Sequence, residues 1–222
     1  MKRILIQAGH VAPREPGFES GTGAPGEQAL ARAIQVGLSK MLAEDGRFLV
    51  TRSAGDVPNG WKGDMFIALH ADGSSNPKAS GFSFGYPRGC SECELLADTV
   101  AARYMRIPGV PKRRGDNYTR ALSGYYGWSR TVAPAKLLIE HGFLTNPGER
   151  EWITGSVPLI VRSHYMAILD FYGMKPPEPP AVNRKRLAAL RRWIRARRTE
   201  GWGWKRLKTT HNWREFHRRG GR

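Results

Sequence analysis

The chain has 222 residues, only two cysteines and a formal charge of +17. A chain of that length buries roughly 70% of its unfolded surface without staples, and two cysteines exclude the disulfide framework of small secreted domains. No apolar run approaches the ~20 residues of a membrane span, and Ile4-Leu5-Ile6 falls short of the roughly 7–15 apolar residues of a secretory signal, so the expectation is a soluble protein made in the cytoplasm.

Arg3–Gln7 reads as a first strand and runs into Ala8-Gly9-His10. A Gly-rich stretch, Gly21-Thr22-Gly23-Ala24-Pro25-Gly26, then leads to Glu27. From Glu27 to Glu44 the apolar residues Leu30, Ile34, Leu38, Met41 and Leu42 recur at helical spacing. Arg47–Thr51 and Asp64–Leu69 read as further strands, the latter followed at once by His70. Gly81–Tyr86 and Lys136–Ile139 are also strand-like, and Leu95–Tyr104 and Pro158–Tyr172 are helical. This alternation argues for an α/β fold, a twisted mixed sheet covered by helices on both faces. Pro108–Arg130, rich in Gly, Arg and Tyr, reads as one long loop. Cys90 and Cys93 form one C-x-x-C pair and are expected to be two thiols, since a metal site there would need another such pair or nearby histidines.

The proline-rich run Lys175-Pro176-Pro177-Glu178-Pro179-Pro180 cannot continue a helix and favours an extended spacer. We place a main domain at residues 1–174, a linker at 175–183 and a basic, Trp-rich helical C-terminal module at 184–222. The charge is concentrated in that module, where 15 Lys and Arg face two acids, leaving positions 1–183 with a net of +4. Such asymmetry implies an anionic partner. Within the tail, Leu187, Leu190 and Ile194 form a narrow apolar stripe, and Asn212 with Glu215 has capping-box spacing.

Chemistry concentrates at element ends. His10 and His70 each close a strand and Glu27 opens a helix, and strand ends are where side chains converge in α/β sheets. Two imidazoles and one carboxylate suit zinc, leaving a fourth position for water. Glu140 ends a third strand, where a carboxylate could accept a proton from that water and return it to a leaving amine. Each residue also has an ordinary reading. A strand-end histidine is commonly structural, Glu27 could favour the positive end of its helix, and Glu140 could pair with an arginine. Four such groups at element ends together argue for a metal.

At these residues the chain resembles the zinc N-acetylmuramoyl-L-alanine amidases of the amidase-3 type. The likeness runs over about residues 3–172 and rests on Ala8-Gly9-His10, Glu27 at a helix start, Ala68-Leu69-His70-Ala71-Asp72 and Ile139-Glu140-His141-Gly142-Phe143-Leu144-Thr145-Asn146. It implies a single α/β catalytic domain, Zn2+ on His10, Glu27 and His70, and Glu140 as the catalytic glutamate. The implied substrate is bacterial peptidoglycan, cut between N-acetylmuramic acid and L-alanine. The chain departs from the family in carrying Asp72 where Asn is usual, Ala68 where Ser is usual, and His141 where an apolar residue is common.

A wall amidase without an export segment resembles a phage endolysin, which waits in the host cytoplasm until a membrane pore releases it to the cell wall. The tail then reads first as a module for an anionic cell-wall polymer, second as an element for a membrane surface, and third as a nucleic-acid binder. Two other functions are open: a zinc peptidase cutting elsewhere in the stem peptide, and a basic polymer-binding protein without catalysis. In the loop, Tyr118, Tyr125, Tyr126 and Trp128 could stack on sugars or anchor the loop itself. Arg113 and Arg114 could meet stem-peptide carboxylates or remain solvated.

Overall fold

The computed structural model describes residues 1–11, 23–177, 192–193 and 195–196. Residues Met1–Pro176 form one compact unit. The capping box Asn212–Glu215, most of the expected module 184–222 and Gly21-Thr22 lie outside the described residues.

Strand β1 (Lys2–Ala8) is followed by α1 (Glu27–Asp45), β2 (Phe48–Ala54), the short β3 (Trp61–Lys62) and β4 (Met65–Asp72). Next come β5 (Ser83–Gly85), α2 (Ser91–Tyr104), the one-turn helices α3 (Arg120–Ser123) and α4 (Gly127–Arg130), and β6 (Thr131–Val132). The unit closes with β7 (Ala135–Phe143), α5 (Pro147–Gly155) and α6 (Val157–Phe171). The main sheet has the order β2-β1-β4-β7-β5. Its first four strands are parallel and β5 runs antiparallel to β7, so the sheet is mixed as expected.

Period-2 alternation splits each central strand between two apolar layers. Ile4, Ile6 and Ala8 of β1, with Met65, Ile67 and Leu69 of β4 and Leu137 and Ile139 of β7, face the larger core. There α1 adds Leu30, Ile34, Leu38 and Leu42, α2 adds Leu96 and Val100, and α6 adds Ile160 and Ile168. Leu5, Phe66, Ala68 and Leu138 face a smaller layer closed by Leu122, Trp61, Tyr125 and Trp128. Helices therefore cover both faces, but unequally, with the three long ones on one side and two single turns plus loop on the other. The stretch 108–130 is thus not wholly loop: Thr119 caps α3 by accepting from the Leu122 amide, and the Trp128 ring packs edge-on against Phe66. Among the described residues, no helix is long and apolar enough to cross a membrane.

Two further differences from the sequence reading have simple causes. Cys90 caps α2 and Cys93 lies in its first turn. Their Cα atoms are 5.2 Å apart, and the pair is a disulfide rather than two thiols, a separation within the usual range. Helix α5, absent from the sequence reading, starts where Asn146 accepts from the amides of Gly148 and Glu149 ahead of Pro147.

Glu149 ties α5 to the sheet. Its carboxylate accepts from the Ser80 hydroxyl and, at 2.7 Å each, from the amides of Gly81 and Phe143. Gly142 must be glycine at this junction, since its φ is +129° and a Cβ there would lie 2.8 Å from the Glu149 carboxylate. Both oxygens of Glu149 face only donors, so Glu149→Gln sets an NH2 against an N–H or O–H. The expected cost is about 1–3 kcal/mol, measured as a lower urea midpoint with an unchanged slope.

Candidate active site

The connection from β1 through α1 leads outward to β2, and the chain then returns to β4 on the other side of β1. This reversal opens a crevice at the carboxyl ends of β1 and β4, where ligands bind in open α/β sheets. His10 lies two residues beyond β1, and Glu27 is the first residue of α1. His70 lies within β4, directly across from Glu140 in β7. All four expected site residues therefore converge at the carboxyl ends of the central strands, and His10, Glu27 and Glu140 line a cleft of about 480 Å³ with Gly23, Asp72, Ser74 and Thr145.

Glu27 is the hub. It is 2% exposed, and its Oε1 lies 3.0 Å from His70 Nδ1 and 3.6 Å from His10 Nε2. The same carboxylate accepts from the amides of Ala71 and Ala24. Burial pushes its pKa up, but the hydrogen bond and charge of His70, with His10, overrule that and hold it below the usual range. His10 reaches the carboxylate from a left-handed backbone, φ 58°, a conformation that costs a non-glycine residue about 1–3 kcal/mol and clusters at functional sites. Gly23 leaves space for both partners, since a Cβ there would lie 2.7 Å from Glu27 Oε2 and 2.9 Å from the His10 ring. Gly9 does the same for the His70 imidazole.

One ligand atom from each of His10, Glu27 and His70 lies within 4.8 Å of the others. The residues fit a metal in chemistry as well as spacing. Two imidazoles and a carboxylate form a borderline donor set, and His70 Nε2 is buried without a hydrogen-bond partner.

Glu140 occupies the other wall. Its Oε2 is buried without a partner, and burial, then the charges of Asp72 and Glu27, push its pKa well above the ordinary carboxylate range. Burial likewise raises Asp72, whose Oδ1 accepts from the Tyr118 hydroxyl at 2.7 Å. The sequence reading did not assign Tyr118 to this carboxylate, because the residues are 46 positions apart and no local pattern links them.

The layer behind the site is also polar. His141 Nδ1 donates to the His70 carbonyl at 2.7 Å, and His141 Nε2 lies 2.9 Å from His164 Nε2. Burial lowers His141 to about 4 and holds His164 well below its ordinary value, so both are neutral and His141 accepts from His164. Tyr125 sets its ring edge-on to His70 and donates to Gln7 Oε1 at 2.6 Å, while Gln7 contacts Tyr126 and Gly55. Tyr125 and Trp128 therefore anchor the loop segment. Arg113 pairs with Asp98 and Asp116. Arg114 lies over the rings of Tyr118 and Phe143.

The sequence profile of the Amidase_3 family, N-acetylmuramoyl-L-alanine amidase, matches residues 4–169. The chain belongs to that family and is an amidase-type peptidoglycan hydrolase. Its fold is similar to the catalytic domain of CwlV, an N-acetylmuramoyl-L-alanine amidase from Bacillus (Paenibacillus) polymyxa var. colistinus, with a TM-score of 0.61 and 19% identity over 79% of this chain and 100% of that one. The amidase AmiC2 of Nostoc punctiforme aligns with a TM-score of 0.61 and 18% identity, over 78% of this chain and 97% of that one. The catalytic domain of the CD27L endolysin, targeting Clostridia difficile, aligns with a TM-score of 0.56 and 17% identity, over 77% and 98% respectively. No curated protein matches the chain.

The buried Glu140 carboxyl has a stability consequence. A carboxyl whose folded pKa is raised holds its proton longer than in the unfolded chain, so the folded state loses ground as pH rises above the ordinary carboxylate range. Chelator-treated Glu140→Gln is therefore expected to melt higher than chelator-treated wild type at neutral pH. The gap should correspond to about 1–3 kcal/mol and close as pH falls into the carboxylate range. Melting curves across that pH series measure it.

Proposed function

We propose that this chain hydrolyses the amide between N-acetylmuramic acid and L-alanine using zinc held by His10, Glu27 and His70, with Glu140 as the residue that moves the proton. The observation that carries this reading is the convergence of those three donors beside a partnerless carboxylate paired in register with the His70 strand. When bound there, zinc supplies Lewis acidity and lowers the pKa of water to about 7.

The residues divide the remaining work. Glu27 holds the His70 ring through Nδ1, and Tyr125 packs edge-on against that ring. Glu140 takes a proton from the attacking water at its free oxygen and hands it to the alanine nitrogen as the C–N bond breaks. A carboxyl placed there can accept that proton and return it, so one residue serves both directions. Glu140 lines the cleft of about 480 Å³ together with His10, Glu27 and Asp72.

The proposal extends to the rest of the chain. Residues 175–183 serve as a linker, and the basic 184–222 segment holds the catalytic domain to an anionic wall polymer. In this reading the protein acts as a phage lysin, stored in the host cytoplasm and released to the wall. The charge concentrated in the tail and the fold likeness to an endolysin catalytic domain support that setting.

The test is digestion of purified peptidoglycan by untreated, chelated and zinc-restored protein, with mass spectrometry of the released ends. The expected result is zinc-dependent release of stem peptides beginning with L-alanine, and cuts elsewhere in the stem would move the enzyme to the peptidase class. Glu140→Ala is expected to retain zinc while turnover falls by at least about 10²-fold. His10→Ala should lose zinc and turnover together.

A further inference from the structure

Among the described residues, Arg114 lies beside this site without an ion pair, although its charge acts on Asp72. Its neighbour Arg113 is fully engaged, with Nη1 2.9 Å from Asp98 and Nη2 2.6 Å from Asp116. Arg114 forms no side-chain hydrogen bond or ion pair among the described residues. Its guanidinium instead lies over two rings, 4.6 Å from the centre of Tyr118 and 5.0 Å from that of Phe143.

Its position is built. The Arg114 amide donates to the Phe82 carbonyl at 2.7 Å, which fixes the backbone against the start of β5. Gly81 leaves room for its stem, since a Cβ there would lie 2.6 Å from Arg114 Cγ. Tyr118 in turn donates to Asp72 at 2.7 Å, and Asp72 lines the cleft with Glu140. Phe143 lies three residues beyond Glu140 on the same strand. The guanidinium therefore lies over the rings of Tyr118 and Phe143, one side chain out from the cleft, and no described side chain fills its N–H fork. Arginine held in that way matches a planar carboxylate with two parallel hydrogen bonds, and its weak hydration suits the aromatic bed.

We propose that Arg114 binds a carboxylate of the peptide stem and so sets a preference for acidic stems over amidated ones. The inference rests on the amidase reading for its substrate. The carboxylate comes either from the residue after L-alanine, a γ-linked D-glutamate with a free or amidated α-carboxyl, or from the residue that follows it. Each residue of extended chain spans up to about 3.6 Å, so the two are separable by chemistry rather than by reach. Arg114 acts on substrate capture and not on the proton transfer, so its loss raises KM and leaves kcat in place.

The test compares wild type, Arg114→Met and Arg114→Lys on three soluble muramyl tripeptides: one with both carboxyls free, one amidated on the second residue and one amidated on the third. Methionine keeps an unbranched stem beside Gly81, and melting curves confirm that each variant is folded. For the fully acidic substrate, Arg114→Met is expected to raise KM about tenfold or more, with kcat within about twofold and Arg114→Lys between the two. Amidation at the recognised position should raise the wild-type KM to that of Arg114→Met and erase the difference between them, which identifies the carboxylate. An equal loss on all three substrates, or a loss in kcat alone, would overturn the proposal and leave Arg114 as a loop anchor. Calorimetric binding of the free acidic stem peptide to the same proteins separates the two readings. Arg114-dependent binding without turnover would sink the amidase reading and keep this one.

Discussion

The carboxylate of Glu27 is the constraint around which the site is organised. One side chain joins the first turn of α1, the backbone and ring of β4, the approach to the helix and the imidazole that follows β1. Burying a lone carboxylate is expensive unless it is paired and hydrogen-bonded, and Glu27 has two amides and two imidazoles around it. The same contacts that make its burial tolerable bring together elements separated by tens of residues. Stability and site assembly are therefore one event here, and His10 keeps its left-handed backbone because the surroundings hold it there.

The opposite wall follows a different logic. Glu140 and Asp72 are pressed into the same cleft with fewer partners, and each has a buried oxygen that no described residue satisfies. Unpaired polar atoms of this kind persist in native proteins where function retains them. The neutral His141–His164 pair sits behind this wall and fixes the His70 carbonyl. A polar layer thus supports a polar site.

Much of this was legible in the sequence, for identifiable reasons. Strands β1, β4 and β7 are buried on both faces, so their apolar runs are continuous, and α1 repeats its buried residues with clear helical spacing. His10, His70 and Glu140 stand out because each follows an apolar strand run, and Glu27 because it opens a helix after a Gly-rich stretch. Helix α5 escaped because only Glu149 and Ile153 are buried in it. Its start signal was present in Asn146-Pro147 with Glu149 three residues after the cap. The disulfide was missed because the cysteines were weighed by number and compartment rather than by their spacing at a helix start. The Asp72–Tyr118 contact, the network around Gln7 and the stacking of Arg114 are long-range pairings that no local pattern encodes.

The unequal covering of the sheet has a consequence for how such a protein can change. The three long helices and their large core lie on one face, while Leu122, Tyr125 and Trp128 close the smaller layer on the other. Glu27, at the start of α1, ties the helical side to the cleft. Substitutions at Leu122, Tyr125 or Trp128 can therefore change what packs against the His70 ring without repacking the large core, whereas changes beneath the first turn of α1 reach the site as well. Drift under a new wall chemistry is least constrained on the thin side of the sheet.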